Sequence, residues 1–248
     1  MTKQIHIKNS EELLPGALCV LTSEEYELLL SWKVRVGESF TFTDEEGDYF
    51  RGRFVGIVND RPSVKVIEKY DSPVESNIRI TLFQCLPARE RMELILEKAV
   101  ELGVSRIITF RSEKSISIEE RDNKQKKSHK WPLVLLKAAK QCRRALIPEL
   151  EYFDSFCNAL NKASADSGKI LLSEKRGCKS FRETLLTLSG FKDISVMIGP
   201  EGGFSNYEID MAVKAGFISV NIGGRILRTE TAAIAAISII QYELGDLA

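Results

Sequence analysis

Apolar and polar positions alternate in short runs over the first 70 residues, and polar turns separate the runs. Alternating runs with such turns between them predict antiparallel strands joined as hairpins. The predicted strands cover residues 39–43, 49–58 and 64–67, and the turns cover residues 44–48 and 59–62. The pattern therefore predicts a small β-barrel domain over residues 1–72.

After residue 73 the pattern changes, because apolar runs of strand length alternate with segments of helical periodicity. The predicted strands are residues 78–85, 106–110, 169–172, 194–198 and 217–222, and the predicted helices are residues 90–102, 131–144, 206–216 and 231–244. Ser205 and Glu208 form a capping-box pattern at the start of one helix. The tract 114–130 is polar and is predicted to be exposed. Strands that alternate with helices predict an α/β domain with a mostly parallel sheet over residues 73–248.

Two glycine-bearing loops follow strands near the end of the chain: IGPEGGFS at residues 198–205 and GGRILRTETA at residues 223–232. Open strand ends of α/β sheets bind small molecules, and glycine lets the main chain approach a ligand closely. Neither loop has the spacing of a dinucleotide or P-loop motif, and Glu201 would repel a phosphate. The loops therefore favour an uncharged or cationic ligand part, while two tight turns without a ligand are the alternative.

Composition restricts the class of protein only broadly. The chain has 248 residues, of which 44% are hydrophobic and 28% are charged, as in ordinary globular proteins. No apolar run is long enough for a membrane helix or a signal peptide. Five scattered cysteines without a C-x-x-C motif, and two distant histidines, His6 and His129, predict a cytoplasmic protein without a metal site.

The net charge of zero hides an uneven distribution. Residues 1–75 hold 9 basic and 14 acidic side chains, and residues 76–248 hold 26 and 21. Within the second part, residues 111–144 hold 11 basic and 4 acidic side chains. Such a segment indicates either a polyanion-binding surface or a solvated lysine-rich face.

The glycine loops and several upstream segments together resemble the RsmE-type ribosomal RNA uridine-N3 methyltransferases of the SPOUT superfamily. The matching motifs are the two loops with Glu208, the segments KAVELGV at 98–104 and AAKQCRR at 138–144, Trp131, Pro148, and GDL at 245–247. The resemblance covers nearly the whole chain after residue 78 and is weaker before it.

The resemblance implies an α/β fold with a C-terminal trefoil knot over residues 73–248, a rare exception to the rule against knots. It implies that the barrel of residues 1–72 is PUA-like and helps to bind RNA. It also implies S-adenosylmethionine as cofactor, a homodimer, and a uridine of 16S rRNA in the decoding region of the small ribosomal subunit as substrate.

Methylation at uridine N3 requires loss of a proton or stabilisation of the charge left on the base. The two histidines do not suggest a base, so we expect Arg228 to stabilise that charge. Its alternative role is an ion pair with Glu230 or Glu201 that holds the loops. Glu230 is a candidate to orient Arg228 or to accept a proton, and a structural role is its alternative.

The other candidate site residues fall into two groups. The cofactor-binding candidates are Leu172, Ile198, Gly199, Pro200, Glu201, Gly202, Ile222, Gly223, Ile226, Leu227 and Thr229; Leu172 alternatively packs in the core. The RNA-binding candidates are Lys33, Arg89, Lys114, Gln141 and Arg144, with Lys124, Lys126, Lys127 and Lys130 expected at phosphates. Gln141 and Arg144 are predicted to share one helix face.

Two other functions remain open at this stage. One is a methyltransferase that acts on another RNA, such as tRNA. The other is an RNA-binding protein that has kept the fold and lost catalysis, although the complete glycine loops argue against it.

Overall fold

A computed structural model describes residues 3–8, 13–87, 91–124, 128–175 and 177–247. The chain divides into two compact units: residues 1–75 with 136–147, and residues 76–135 with 148–248. The boundary therefore falls after Glu75 rather than at the predicted residue 72, and a later segment joins the N-terminal unit.

The N-terminal unit contains a four-stranded antiparallel sheet with one helix. Its elements are β1 (Lys3–Gln4), β2 (Leu18–Val20), α1 (Ser23–Ser31), β3 (Ser39–Thr43), β4 (Tyr49–Val58), β5 (Arg61–Lys69) and β8 (Leu146–Ile147). The strand order is β2-β5-β4-β3, and β1 pairs with β8. The predicted turn at 59–62 is shorter in the structure. Asn59 and Asp60 alone make the turn, with φ angles of 50° and 62°, so β5 begins at Arg61.

Aromatic side chains fill the core of this sheet. Phe42 stacks on Phe50 with ring centroids 5.4 Å apart. Gly52 lies beside this pair, where a Cβ atom would be 2.6 Å from Val64. Glycine is therefore required at this position by close packing rather than by a turn.

The second unit is built on a seven-stranded sheet in which every neighbouring pair is parallel, which confirms the predicted sheet. Its strands are β6 (Arg79–Cys85), β7 (Val104–Phe110), β9 (Glu149–Phe153), β10 (Gly168–Leu172), β11 (Lys179–Ser180), β12 (Asp193–Ile198) and β13 (Ile218–Asn221). Their order is β11-β13-β10-β12-β6-β7-β9. The carboxyl ends of β10, β12 and β13 therefore meet at one edge, beside that of β6.

The helices of this unit are α2 (Met92–Glu101), α3 (Ile118–Lys124), α5 (Phe156–Leu160), α6 (Phe181–Thr187), α7 (Asn206–Lys214) and α8 (Thr229–Leu244). The division between the units falls inside α4 (Trp131–Gln141). Buried aromatic residues pack between helices and sheet, among them Phe110, which stacks on Phe204 at 6.4 Å. Within the described residues, no helix is long and apolar enough to span a bilayer.

Among residues 114–124 and 128–130, the polar segment before α4 is exposed or partly exposed, close to the prediction, except at Arg121. Arg121 lies in α3 with only 1% of its surface exposed, and its guanidinium lies 4.7 Å from the centre of the Trp131 ring. A cation over an indole face can be buried in this way, and a polar sequence pattern does not reveal it. The next helix is also shorter than predicted, because Arg143 takes a φ angle of 63°.

Candidate active site

A cavity of about 630 Å³ lies at the edge where β10, β12 and β13 end. Three loops form its walls, and each follows one of these parallel strands. They are residues 172–175 after β10, residues 198–203 after β12 and residues 220–229 after β13. The volume falls within the range of ordinary small-molecule sites.

The structure brings the predicted cofactor residues and both predicted catalytic residues together around this one cavity. Its lining includes Leu172, Ile198, Gly199, Pro200, Glu201, Gly202, Ile222, Gly223, Ile226, Leu227, Arg228, Thr229 and Glu230. Leu172, for which core packing was the alternative, lies at the end of β10 and is only partly buried.

The loop after β12 is a tight turn that is stabilised by a hydrogen bond within it and by the helix cap that follows it. The N–H of Gly203 donates to the carbonyl of Pro200 at 2.9 Å, and Gly203 has a φ angle of 63°. The predicted capping box of Ser205 and Glu208 is present and starts α7. The carboxylate of Glu208 is buried and also accepts the N–H of Glu113 at 2.9 Å, which ties this loop to the segment after β7.

The loop after β13 is more open. Gly223 has a φ angle of 98°, and a Cβ atom at Gly223 or Gly224 would meet no atom within 4 Å. Ile226 in the same loop is 85% exposed. This side of the cavity therefore offers main chain and one apolar side chain with free space in front of them.

A chain of hydrogen bonds joins the two glycine loops underneath the cavity. Gln84 Nε2 donates to Thr229 Oγ1 at 3.1 Å, and Thr229 Oγ1 donates to the carbonyl of Gly199 at 2.7 Å. The Thr229 hydroxyl therefore binds protein. Gln84 was absent from the sequence candidates. A polar residue within an otherwise apolar buried strand was the available signal.

Two arginines at the cavity have different surroundings. Arg91, which was not predicted, lies 3.3 Å from a carboxylate oxygen of Glu230. Arg228 is exposed and makes no ion pair with another residue in the described part of the chain. The alternative in which Arg228 pairs with Glu230 is therefore not what the structure shows.

The thiol of Cys85, the residue after Gln84, is expected to be unreactive. Burial raises the pKa of the Cys85 thiol to about 11, and the thiol donates to Ser112 Oγ at 3.1 Å. A thiol that keeps its proton at neutral pH is a poor nucleophile.

The predicted RNA-binding side chains have different local surroundings. Lys114 is exposed, and its Nζ lies 3.1 Å from the carbonyl of Gly202 in the cavity wall. Lys33 is exposed and has a left-handed backbone, with a φ angle of 51°. Lys130 is exposed, and Lys124 pairs with Glu120. Arg89, Lys126 and Lys127 lie outside the described residues.

Gln141 and Arg144 do not share a helix face, contrary to the prediction. The helix ends at Gln141, which is exposed, and the left-handed turn at Arg143 separates the two. Arg144 is only 5% exposed and donates to a Glu75 carboxylate oxygen at 2.9 and 2.7 Å. Glu75 also accepts the N–H groups of Ala145 and Leu146. Arg144 therefore stabilises the N-terminal unit, and its side chain is not available to RNA.

A family described as an RNA methyltransferase domain matches residues 74–241. This range contains all strands of the parallel sheet and all residues that line the cavity, so fold and cavity define the class as RNA methyltransferases. Ribosomal RNA small subunit methyltransferase E of Buchnera aphidicola subsp. Schizaphis graminum is 32% identical over 205 residues, or 80% of this chain and 79% of that protein. The chain belongs to the ribosomal RNA small subunit methyltransferase E family.

Solved structures agree with this assignment. A methyltransferase E of this type from Neisseria gonorrhoeae, bound to S-adenosylmethionine, has a TM-score of 0.70 and 29% identity, with 99% of this chain and 100% of that chain covered. A methyltransferase from Legionella pneumophila, also in complex with S-adenosylmethionine, has a TM-score of 0.67 and 31% identity, with 98% and 99% covered.

Proposed function

We propose that this protein transfers a methyl group from S-adenosylmethionine to N3 of a uridine in 16S rRNA of the small ribosomal subunit. The family and the two structures with bound S-adenosylmethionine support the reaction class and the cofactor. The observation that carries the proposal is the single cavity walled by both glycine loops, with Arg228 exposed at its lining.

The cavity fits S-adenosylmethionine. Free space in front of Gly223 and Gly224 leaves room for a ligand to contact the main chain. Main-chain groups of Ile198, Gly199, Gly202, Ile222, Gly223, Ile226 and Leu227 are the proposed contacts for adenosine and methionine. The lining offers partners of both signs to the sulfonium, ammonium and carboxylate groups of the ligand. Its charged residues are Arg91, Glu174, Lys175, Glu201, Arg225, Arg228 and Glu230.

When bound, S-adenosylmethionine supplies a methyl group on a positively charged sulfur, which needs no metal ion. The work left to the protein is to hold the uridine and to stabilise the negative charge that develops on the base as its N3 proton passes to solvent. N3 then takes the methyl group, and S-adenosylhomocysteine leaves. We assign this stabilisation to Arg228. Arg91, rather than Arg228, pairs with the carboxylate of Glu230, which favours a structural role for Glu230 at the start of α8.

The finer architecture is also a proposal. We infer that the loops after β12 and β13 belong to a C-terminal trefoil knot. The last strand, β13, lies between the earlier strands β10 and β11, an order that supports this inference. We further infer that the N-terminal unit is a PUA-like, RNA-binding barrel, that the protein is a homodimer, and that it acts in the cytoplasm.

The test is to incubate the purified protein with methyl-labelled S-adenosylmethionine and small ribosomal subunits that lack uridine-N3 methylation. The RNA is then digested, and the labelled nucleoside is identified. Label in 3-methyluridine of 16S rRNA supports the proposal.

Label that appears only when total tRNA is supplied assigns the enzyme to another RNA. Binding of the cofactor without transfer to any RNA identifies an inactive binding protein with this fold. Either result contradicts the proposed substrate.

A further inference from the structure

We propose that Gln84 is a positioning residue for the cofactor cavity. Its amide acts through the Thr229 hydroxyl on the Gly199 carbonyl, and so holds the two glycine loops at the separation that S-adenosylmethionine requires. This inference rests on the proposed function, because it concerns the same cavity.

Gln84 is placed where it reaches both loops. It is fully buried near the carboxyl end of β6 and lies opposite Ile198 in the register of β6 and β12. Its Nε2 lies 2.9 Å from the carbonyl of Cys85 and 3.1 Å from Thr229 Oγ1. The amide therefore joins β6 to the start of α8, and the Thr229 hydroxyl extends this connection to the loop after β12.

The direction of this hydrogen-bond chain is fixed by its ends. The Gly199 carbonyl only accepts, so the single hydroxyl proton of Thr229 points to it at 2.7 Å. Thr229 Oγ1 must then accept from Gln84, and the Cys85 carbonyl also accepts. Both contacts need N–H donors, which fixes the orientation of the amide. Bonds aligned head to tail strengthen one another.

The other end of the amide is unsatisfied. Gln84 Oε1 is buried and has no hydrogen-bond partner in the described part of the chain. A buried acceptor without a donor destabilises the fold. An unbranched apolar residue such as methionine would fill the strand position without this penalty. What glutamine adds is its pair of N–H donors, and these act on the cavity loops.

Gly199 is the residue that most needs such a restraint. Glycine has wide backbone freedom, and the following Pro200 has no N–H through which the peptide could be held. Fixing the Gly199 carbonyl also orients the neighbouring main-chain groups, which line the cavity. Because Thr229 is the first residue of α8, the same contact anchors the end of the second glycine loop.

The experiment compares Gln84→Met, Thr229→Val and Thr229→Ser in the full-length chain. Titration calorimetry gives the Kd for S-adenosylhomocysteine, and urea unfolding without ligand gives the stability. We expect Gln84→Met and Thr229→Val to weaken binding about three- to tenfold, the usual effect of one hydrogen bond. Thr229→Ser keeps the hydroxyl and is expected to bind within about twofold of the unchanged chain.

Stability separates positioning from a general structural role. We expect Gln84→Met to unfold at nearly the same urea concentration, because removal of the unsatisfied oxygen offsets the loss of the two hydrogen bonds that Nε2 donates. The matched control is Gln241→Met. Gln241 is also fully buried in this unit but bonds to Ser76 and to the Leu102 carbonyl, and it does not line the cavity. This control is expected to lose stability and to keep the Kd.

The inference is overturned if Gln84→Met binds like the unchanged chain, or if its binding falls only in proportion to a loss of stability. It is also overturned if Thr229→Ser fails to restore binding. Absence of binding by the unchanged chain contradicts the cofactor assignment itself. If the unchanged chain, Gln84→Met and Thr229→Val all bind S-adenosylhomocysteine equally well, the cofactor assignment stands and only the role of Gln84 is contradicted.

Discussion

At the scale of single residues, the two arginines of the cavity have different roles: Arg91 is structural, and Arg228 is the candidate to contact the substrate. Arg91 is engaged by Glu230, whereas Arg228 is exposed beside the cavity and has no ion pair within the described residues. A side chain with this freedom is available to the substrate base. Its loss is expected to affect the transfer step more than the binding of the cofactor.

We therefore predict that Arg228→Ala lowers kcat on unmethylated small subunits roughly 100-fold, the usual effect of losing one charge-stabilising donor. The Kd for S-adenosylhomocysteine is expected to stay within about twofold. Arg228→Lys keeps the charge without the planar fork, so it is expected to recover part of the activity. Unchanged turnover in Arg228→Ala would refute the role.

The ion pair of Arg144 and Glu75 makes a second prediction, on stability. Removing one partner of a buried pair leaves the other charge unpaired. Arg144→Met is expected to lower the free energy of unfolding by about 3–5 kcal/mol, measured in urea. The control is Arg79→Met, because Arg79 pairs with Asp193 at the surface and is expected to contribute less than about 1 kcal/mol. Equal effects in the two variants would contradict the prediction.

Residues of the site that belong to a continuous sequence motif were predictable, and residues that come from distant segments were not. The glycine loops are continuous motifs, so the residues that line the cavity were predictable from them. Gln84 and Arg91 come from other strands and helices, and no local spacing connects them with the loops. Thr229 was predicted to bind the cofactor without a distinction between its main chain and its hydroxyl, and the structure shows that the hydroxyl donates to the Gly199 carbonyl. Whether a side chain faces ligand or protein depends on its tertiary neighbours.

At the scale of elements, two helices begin with the same device. Thr22 with Glu25 caps α1, and Ser205 with Glu208 caps α7. In each case the glutamate also accepts a remote main-chain N–H, from Lys8 or from Glu113. The capping box therefore fastens a distant segment as well as starting a helix.

Substitutions at α7 should separate these two effects. Ser205→Ala is expected to lower the free energy of unfolding by about 1 kcal/mol, as cap losses usually do. Glu208→Ala should cost more, because it also removes the acceptor of the Glu113 N–H. Urea unfolding of the two variants measures the difference. A smaller loss for Glu208→Ala than for Ser205→Ala would contradict the argument.

Elements with a clear period were predictable, and elements that depend on tertiary contacts were not. The hairpin strand β4 has the predicted bounds of 49 and 58, because alternation and flanking turns define it fully. No prediction covered β9, where Glu149 and Glu151 interrupt the apolar run and pair with Arg106 instead. The short helices α5 and α6 were also missed, since helices of one or two turns carry little periodicity.

At the scale of the whole molecule, a net charge of zero means that RNA binding must depend on local groups of basic residues. Lys124 and Lys130 are exposed members of the basic segment and do not line the cavity. If both contact phosphates, the double variant Lys124→Gln/Lys130→Gln should reduce the slope of log K against log salt by about 1.4–1.8.

Binding to small subunits at several salt concentrations measures that slope. Lys33→Gln tests a phosphate contact of the proposed PUA-like barrel in the N-terminal unit. Loss of this one contact should reduce the slope by about 0.7–0.9. An unchanged slope in the double variant would identify its lysines as a solvated face, the alternative raised by the sequence.

The proposed homodimer has its best structural support in α8. One side of this helix is buried in its unit through Ala233, Ala236, Ile237 and Ile240. The opposite side carries Ala235 and Ile239, which are partly exposed, and Tyr242, which is 61% exposed, together with the polar Thr231 and Ser238. Apolar side chains that lie uncovered beside one another often mark a protein interface. The uncovered side therefore favours contact with a second copy of the chain.

Light scattering at micromolar concentration should accordingly give twice the chain mass of 27.9 kDa. Tyr242→Glu places a charge on the uncovered side of α8 and is expected to shift the mass toward the single chain. Leu30→Glu alters an apolar residue of similar exposure in the N-terminal unit and should leave the dimer intact. If the unchanged protein has the mass of a single chain, the proposed homodimer is contradicted. A dimer that Tyr242→Glu leaves unchanged would place the interface elsewhere.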